Sequence, residues 1–178
     1  MEGFCLKCNV PRPCACLLGA ASRDDAYLRA IMAFLAKSPS PPSNLVLVDG
    51  SVELHIGDLR AVTAAASFTH VVTLLSEDVP PVPADKRVPC LDTPDQDIVG
   101  PLEEVYQYLK PVLAAGDARI LIACVEGRSR SAAVTIGVLM RWRSMPFDDA
   151  LALLREKRPR INPQASFLEA LKQQQQQQ

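Results

Sequence analysis

One stretch of this sequence decides the fold, and it reads Arg119-Ile120-Leu121-Ile122-Ala123-Cys124-Val125-Glu126-Gly127-Arg128-Ser129-Arg130-Ser131-Ala132-Ala133-Val134. It opens with an apolar run that is typical of a buried central strand. A cysteine ends this run, and a short loop with a central glycine leads to an arginine. A helical pattern begins directly after that arginine. The order of strand, loop and helix predicts an α/β arrangement with a tight loop at its centre.

The loop after Cys124 has the chemistry of a phosphate-binding cradle. The helix that follows directs its N-terminus at the loop, which favours an anion there and the thiolate form of the cysteine. Arg130 offers a planar fork for two oxygens of a transferring phosphoryl group. We therefore predict Cys124 as a nucleophile and Arg130 as a phosphate clamp. The backbone N–H groups that would surround the phosphate belong to Val125, Glu126, Gly127, Arg128, Ser129 and Arg130.

Strands and helices alternate on both sides of this loop. Periodicity and turn residues predict strands at 44–48, 53–56, 70–75, 87–91 and 119–123, and helices at 22–36, 59–66, 98–112, 131–142, 147–157 and 164–172. The alternation predicts a sheet with helices on both faces. We divide the chain into a Cys-rich segment 1–19, a helix and Pro/Ser linker 20–43, a catalytic domain 44–172, and a glutamine tail 173–178 that we expect to be disordered.

Composition and charge exclude several classes of function. The chain has 178 residues, 48% of them hydrophobic, which suits one domain with a substantial core. The net charge is -1, so we expect no nucleic-acid partner and no anionic membrane partner. No apolar run approaches the roughly 20 residues of a transmembrane helix, and the N-terminus lacks a secretory or myristoylation signal. We expect a monomer in the cytoplasm or the nucleus.

The segment 44–172 resembles the dual-specificity branch of the protein tyrosine phosphatase superfamily, whose signature is His-Cys-x5-Arg-Ser/Thr. The similarity extends to Ile56-Gly57-Asp58, Thr69-His70-Val71, Ala133–Met140, and Arg158-Pro159-Arg160-Ile161-Asn162-Pro163 with Phe167 and Leu171. The resemblance implies an α/β fold with a central, mostly parallel sheet flanked by helices on both faces. It also implies a phosphoprotein substrate, hydrolysis of phosphotyrosine and/or phosphoserine/threonine esters through a phosphocysteine intermediate, and no cofactor for catalysis.

The resemblance also points to the remaining catalytic groups. Asp92 lies 124 − 92 = 32 residues before the nucleophile, between a strand and a helix, where the family carries its general acid. Asp95 and Asp97 are competitors for this role, and their alternative role is favourable charge near the helix N-terminus. Ser131 follows the arginine, where the family's hydroxyl assists release of the thiolate. A helix N-cap is its other interpretation.

The sequence departs from the family signature at one position, since Ala123 stands where the family has His. The thiolate must then be stabilised by the N-terminus of the helix, the loop amides and the arginine. The negative charge of Glu126 opposes this stabilisation, and the positive charge of Arg128 adds to it. We interpret His55 and His70 as structural. Alternatives are a weakly active or inactive phosphate-binding pseudophosphatase, a phosphatase of a phosphoinositide or an RNA 5′ end, and a rhodanese-like sulfur transferase.

Four cysteines lie close together near the N-terminus, at Cys5, Cys8, Cys14 and Cys16. Four thiolates at this spacing can hold one structural Zn²⁺ tetrahedrally. The alternatives are a redox-sensitive tail and an S-acylation site. We predict a structural zinc site here that takes no part in catalysis.

Overall fold

The computed structural model describes residues 23–64 and 67–176. All of the predicted helices and strands are present. In chain order they are α1 Arg23–Ala36, β1 Ser43–Asp49, β2 Ser51–Gly57, α2 Leu59–Thr63, β3 His70–Leu75, β4 Lys86–Pro89, α3 Val99–Ala115, β5 Asp117–Ala123, α4 Arg130–Arg143, α5 Phe147–Lys157 and α6 Ala165–Gln176.

The strands form one sheet in the order β1-β2-β5-β3-β4. The pairs β2–β5, β5–β3 and β3–β4 are parallel, and β1 pairs antiparallel with β2 at the edge. Strand β5 lies in the centre, and its residues Ile120, Leu121 and Ile122 are fully buried. A continuous apolar run is what a strand needs when both faces of the sheet are covered. The predicted mostly parallel sheet is confirmed.

Helices cover both faces of the sheet, as predicted. On one face, α3, α4, α5 and α6 pack against the sheet in the larger hydrophobic cluster, which includes Leu102, Leu154 and Phe167. On the other face, α1 and α2 contribute Leu35 and Leu59 to a smaller cluster. Helix α1 is thus docked on the domain through its apolar side.

The parallel strands bring four loops to one edge of the sheet. Strands β2, β3, β4 and β5 all run in the same direction, so their carboxyl ends lie together. The segments that follow Gly57, Leu75, Pro89 and Ala123 therefore meet there. Ligand sites of open α/β sheets lie at this edge.

The end of the chain differs from the prediction. Helix α6 continues to Gln176, so the glutamines from Gln173 onward are helical over the part that the structure describes, where the sequence predicted disorder. Glutamine has a high helix propensity, and extending an existing helix is far easier than starting one. The Gln175 side chain also accepts a hydrogen bond from Phe147 N.

The predicted zinc site and the search for a membrane helix both depend on which residues the structure describes. The four N-terminal cysteines lie outside the described ranges, so the zinc site stays a prediction. Within those ranges there is no cluster of three His, Cys, Asp or Glu side chains that could hold a metal. No helix there has the length and apolar character that crossing a membrane requires.

Candidate active site

Cys124 lies at the point where β5 ends and the phosphate loop, residues 124–130, begins. It is 1% exposed and lines a cleft of about 740 Å³. Its N–H group lies 3.4 Å from Gly57 O, and Leu59 N donates to Val125 O at 3.2 Å. The turn between β2 and α2 thus fixes the start of the loop.

Gly127 allows the loop to turn. Its φ is +65°, in the left-handed region that favours glycine. A Cβ at this position would lie 2.6 Å from Gly57 O and 2.7 Å from Arg158 Nη2. Both the backbone conformation and the space exclude a side chain here.

Arg158 supports the loop from inside the protein. Its Nε donates to Gly127 O at 2.8 Å, and its Nη2 lies 3.4 Å from Glu126 O. Its Nη1 donates to Pro41 O at 3.1 Å. The side chain is 1% exposed, and burial lowers its pKa to about 10, with the Asp58 carboxylate 3.7 Å away acting in the opposite direction. Arg158 does not line the cleft, so it supports the loop from the buried side.

Arg130 starts helix α4 and is held beside the cleft. Its Nη1 donates to Cys90 O at 3.1 Å, and its Nε lies 3.5 Å from Asp92 Oδ2. The Nε group is buried and has no hydrogen-bond partner among the described residues. A buried donor without a partner costs free energy, and an oxygen of a bound phosphate would satisfy it.

Asp92 lies across the cleft from the start of α4. Its Oδ1 accepts a hydrogen bond from Ser129 Oγ at 2.6 Å, and its side chain is 35% exposed. Its backbone O accepts from Gln164 Nε2 at 3.1 Å. Asp92 lines the same cleft as Cys124 and Arg130, so the acid candidate and the predicted nucleophile face one cleft.

The two competing carboxylates lie elsewhere. Asp97 accepts hydrogen bonds from Val99 N at 2.8 Å and Gly100 N at 2.9 Å. It therefore caps the start of α3, which is the alternative role predicted for it. Asp95 is exposed. Neither of them lines the cleft.

Ser131 lies inside the first turn of α4 and is not its N-cap. The helix begins at Arg130, with Ser129 as the cap residue. The Ser131 hydroxyl is fully buried and lies 3.2 Å from Cys124 Sγ. The N-cap interpretation of Ser131 is therefore wrong, and its assistance to the thiolate stays a prediction.

The two charges inside the loop oppose each other. Arg128 Nη1 lies 3.6 Å from Glu126 Oε2, and both side chains are about half-exposed at the rim of the cleft. An ion pair in solvent is weak and screened by salt. Neither charge therefore dominates at the sulfur.

Ala123 is buried in the face of the sheet that α2 covers. It pairs in register with Thr73 on the neighbouring strand β3. The Thr73 hydroxyl is buried and has no hydrogen-bond partner within the described ranges. His55 lies 3.0 Å from Glu53 and His70 lies 2.9 Å from Thr69, so neither histidine replaces the missing one in the cleft.

The sequence did not reveal the residues that hold this site in place. Arg158 belongs to the segment that resembles the family. The sequence pattern does not, however, distinguish this buried arginine from the exposed Arg155. Ser129 was predicted only for its backbone N–H, yet its hydroxyl accepts from Gln164 N at 3.3 Å and donates to Asp92. These contacts join segments far apart in the chain, and no local pattern carries them.

Comparison with known proteins agrees with this geometry. A family model of the dual specificity phosphatase catalytic domain matches residues 55–177. Human dual specificity phosphatase 28 is 34% identical over 140 residues, which is 74% of this chain and 77% of that protein. Dual specificity protein phosphatase 1B of Arabidopsis thaliana is 29% identical over 112 residues, which is 61% of this chain and 66% of that protein. The crystal structure of human DUSP28 has a TM-score of 0.67 and 29% identity, covering 78% of this chain and 95% of the other.

The family match spans well over half of the chain and includes the whole phosphate loop. It favours phosphate-ester hydrolysis over sulfur transfer and over binding without turnover. The protein is thus a cysteine-based phosphatase, and the chain belongs to the dual specificity phosphatase family.

Proposed function

We propose that this enzyme hydrolyses phosphotyrosine and phosphoserine/threonine esters of proteins in two steps at Cys124. One observation carries the proposal: four groups lie together at the cleft, three of them lining it and the Ser131 hydroxyl buried against the sulfur. They are the Cys124 thiol, the Ser131 hydroxyl 3.2 Å from it, and the Arg130 guanidinium with the Asp92 carboxyl 3.5 Å from it. Nucleophile, hydroxyl, cation and acid are the parts that the reaction needs.

In the first step, the Cys124 thiolate attacks phosphorus. The S–P bond forms while the bond from phosphorus to the ester oxygen breaks. Asp92 in its protonated form gives its proton to the leaving oxygen. The loop amides and Arg130 stabilise the charge on the transferring phosphoryl oxygens. The products are a phosphocysteine and the dephosphorylated side chain.

In the second step, water attacks the phosphocysteine. Asp92, now ionised, accepts a proton from that water, the P–O bond forms, and the S–P bond breaks. Ser131 donates a hydrogen bond to the sulfur as it leaves as a thiolate, which its 3.2 Å separation from Sγ supports. Inorganic phosphate is released and Asp92 is protonated again.

In both reaction steps, every proton and every bonding atom comes from side chains, the substrate or water. We therefore propose that catalysis needs no cofactor. We further propose that the enzyme acts as a monomer in the cytoplasm or the nucleus. The N-terminal cysteines Cys5, Cys8, Cys14 and Cys16 are proposed to hold a structural zinc. Native mass spectrometry tests this last point: one Zn²⁺ per chain is expected, lost in a Cys5→Ser/Cys8→Ser variant, and a metal-free protein would contradict it.

The phosphocysteine can be trapped directly. With a ³²P-labelled phosphopeptide and rapid acid quench, the wild-type protein should carry label on the tryptic peptide that contains Cys124. A Ser131→Ala variant should accumulate more label because the second step slows, and Cys124→Ser should carry none while still binding the peptide. Label on another peptide, or turnover by Cys124→Ser, would overturn the proposal.

A further inference from the structure

A second pocket adjoins the active-site cleft and is lined by two serines, Ser38 and Ser40. It has a volume of about 320 Å³ and shares two rim residues, Glu126 and Arg128, with the cleft. The remaining walls come from the end of α1, the linker after it, and Arg160. The Ser38 side chain lies in this pocket, within the Pro/Ser linker.

The Ser38 oxygen is surrounded by hydrogen-bond donors. Arg160 Nη1 donates to Ser38 Oγ at 2.5 Å, and Ser40 N lies 3.4 Å from the same atom. No acceptor contacts Ser38 Oγ within the described part of the chain. The charged oxygens of a phosphate group at neutral pH accept hydrogen bonds, so donors that already face Ser38 Oγ suit a phosphate attached to it.

The charge of the pocket also suits a phosphate. Arg160 and Lys37 form no ion pair with any described carboxylate, and Arg128 pairs only with Glu126 at 3.6 Å. Arg160 Nε is buried and has no hydrogen-bond partner among the described residues. The pocket therefore has three cationic side chains and one carboxylate, so its net charge is positive, and Arg160 Nε is a donor without a partner among the described residues. Arginine is the side chain best suited to hold a phosphate.

Ser38 is followed directly by Pro39, and a serine followed by proline is the minimal pattern that a proline-directed kinase recognises. The linker reads Lys37-Ser38-Pro39-Ser40-Pro41-Pro42, and it lies between α1 and β1 outside any helix or strand. Proline cannot join a ladder or continue a helix, so residues 39–42 belong to neither α1 nor β1. Pro39 is exposed.

We propose that Ser38 is a phosphorylation site whose phosphate is held in this pocket by Arg160, with Lys37 and Arg128 near it. In the modifying step, Ser38 Oγ attacks the γ-phosphorus of ATP, the bond from that phosphorus to the bridging oxygen breaks, and ADP leaves as the hydroxyl proton is lost. The kinase is a separate, proline-directed enzyme. The phosphate is tethered to the wall of its own pocket, so its effective concentration there exceeds that of any diffusing anion.

The modification would act on the neighbouring cleft. Arg160 Nη2 donates to Glu126 O at 2.6 Å, and Arg128 Nε donates to Arg160 O at 3.2 Å, so the pocket and the phosphate loop share their supports. A phosphate carrying about −1.5 to −2 charges would neutralise the cations at the rim and repel an anionic substrate. Arg130 and the loop amides are not altered, so the effect falls on KM. We expect KM for a phosphopeptide to rise about three- to tenfold, and less at high salt.

The first experiment reads the phosphate itself and does not depend on turnover. Phosphoserine is installed at position 38 of the full chain by genetic encoding, in a Cys124→Ser background that prevents self-dephosphorylation. A ³¹P NMR titration should show the second pKa of this phosphate below the roughly 6 of a free phosphoserine, and Arg160→Gln should move it back. Phosphoserine installed at exposed position 51, at the amino end of β2, is the control and should titrate as a free one. Identical titrations at both positions would overturn the proposal.

The second experiment tests the modification and its effect. In a Ser40→Ala variant, which removes the neighbouring Ser40-Pro41 pair, a proline-directed serine kinase with ATP should add one phosphoryl group to Ser38, mapped by peptide mass spectrometry, and Pro39→Ala should prevent it. The protein with phosphoserine encoded at position 38 should then show the raised KM, with kcat for a small aryl phosphate as the check that the catalytic proposal itself holds. No transfer to Ser38 would overturn the modification, and an unchanged KM would overturn its effect on the cleft, even in a fully active enzyme.

Discussion

The hydroxyl of Ser129 donates a hydrogen bond to Asp92 Oδ1 across 2.6 Å, although the two residues lie 37 positions apart in the chain. The phosphate loop therefore holds the carboxyl that we assign as the general acid. Gln164 adds two contacts to this pair, from its N–H to Ser129 Oγ and from its side-chain amide to Asp92 O. Asp92, the phosphate loop and Gln164, the residue before α6, form one hydrogen-bonded unit.

Ser129→Ala should loosen the acid and slow the enzyme on poor leaving groups. We expect kcat for alkyl phosphates to fall about fivefold, which corresponds to one hydrogen bond of about 1 kcal/mol. Steady-state kinetics on a series of leaving groups measures this effect, with Ser67→Ala, an exposed serine at the amino end of β3, as the matched control. A uniform loss over all leaving groups would mean that Ser129 supports the loop and not the acid.

Asp92→Asn should make the loss of rate depend on the leaving group much more strongly than Ser129→Ala does. Loss of a general acid costs about 10²–10⁴ in rate, and an alkyl phosphate should show this loss while an activated aryl phosphate is largely spared. The basic limb of the pH–rate profile should disappear. Asp95→Asn is the matched control because it lies outside the cleft, and it should leave both substrates unchanged. If Asp95→Asn gives the leaving-group dependence instead, the acid is misassigned.

Gly127→Ala should abolish activity because the new Cβ would lie 2.6 Å from Gly57 O. Gly50 offers a matched comparison, since it also has a positive φ but has no atom within 4 Å of a built Cβ. Gly50→Ala should cost about 1–2 kcal/mol of stability from backbone strain alone and leave kcat intact. Urea denaturation and an aryl phosphate assay measure the two effects. Full activity in Gly127→Ala would show that the loop can adopt another shape.

Arg158→Gln should destabilise the protein and impair catalysis together. Breaking a buried, hydrogen-bonded charge site costs about 3–5 kcal/mol, and the Gly127 carbonyl would lose the donor that Arg158 Nε supplies. Arg155→Gln, on the exposed side of α5, should be close to neutral. The measurements are the urea midpoint and kcat/KM for the two variants. Equal midpoints for the two would remove the supporting role of Arg158.

Cys90 should stay unreactive in the folded protein. Burial raises the pKa of the Cys90 thiol to about 12, with Arg130 acting in the opposite direction. A thiol whose pKa is higher in the folded state than in the unfolded state contributes to the free energy of unfolding. This contribution is complete when the pH is below the thiol pKa of the unfolded chain, and it falls as the pH rises through about 9 to 12. Iodoacetamide at pH 8.5, a value near the roughly 8.5 of a free thiol, should label Cys124 in the folded protein and spare Cys90. Urea should make Cys90 reactive, and equal labelling without urea would contradict the expected burial.

The sequence predicted the elements well because their signals are local. The apolar run before Cys124 and the helical spacing after Ser131 identify β5 and α4 without any tertiary information. The glutamine run differs from the prediction because its low complexity indicates disorder while its high helix propensity allows α6 to continue through it.

The supports of the site could not be predicted for a physical reason. Whether Arg158 is buried depends on carbonyls of Pro41 and Gly127, which come from two distant segments. The surroundings of Ala123 are also non-local, since its register partner is Thr73 on the neighbouring strand, whose buried hydroxyl has no partner among the described residues. Periodicity reports which face of an element is apolar, but not which polar groups meet there.

The anchoring of Arg158 to Pro41 and Gly127 makes the phosphate loop part of a larger cooperative unit. Fraying of the chain ahead of the edge strand β1 removes one of its acceptors, and the remaining contacts then hold the loop less firmly. Local opening at this edge should thus be coupled to opening of the loop, although they are far apart in the chain. Native-state hydrogen exchange would show this coupling as a common opening free energy for the amides of β1 and those of the loop. The shape that binds phosphate is in this sense a property of the whole sheet edge rather than of seven consecutive residues.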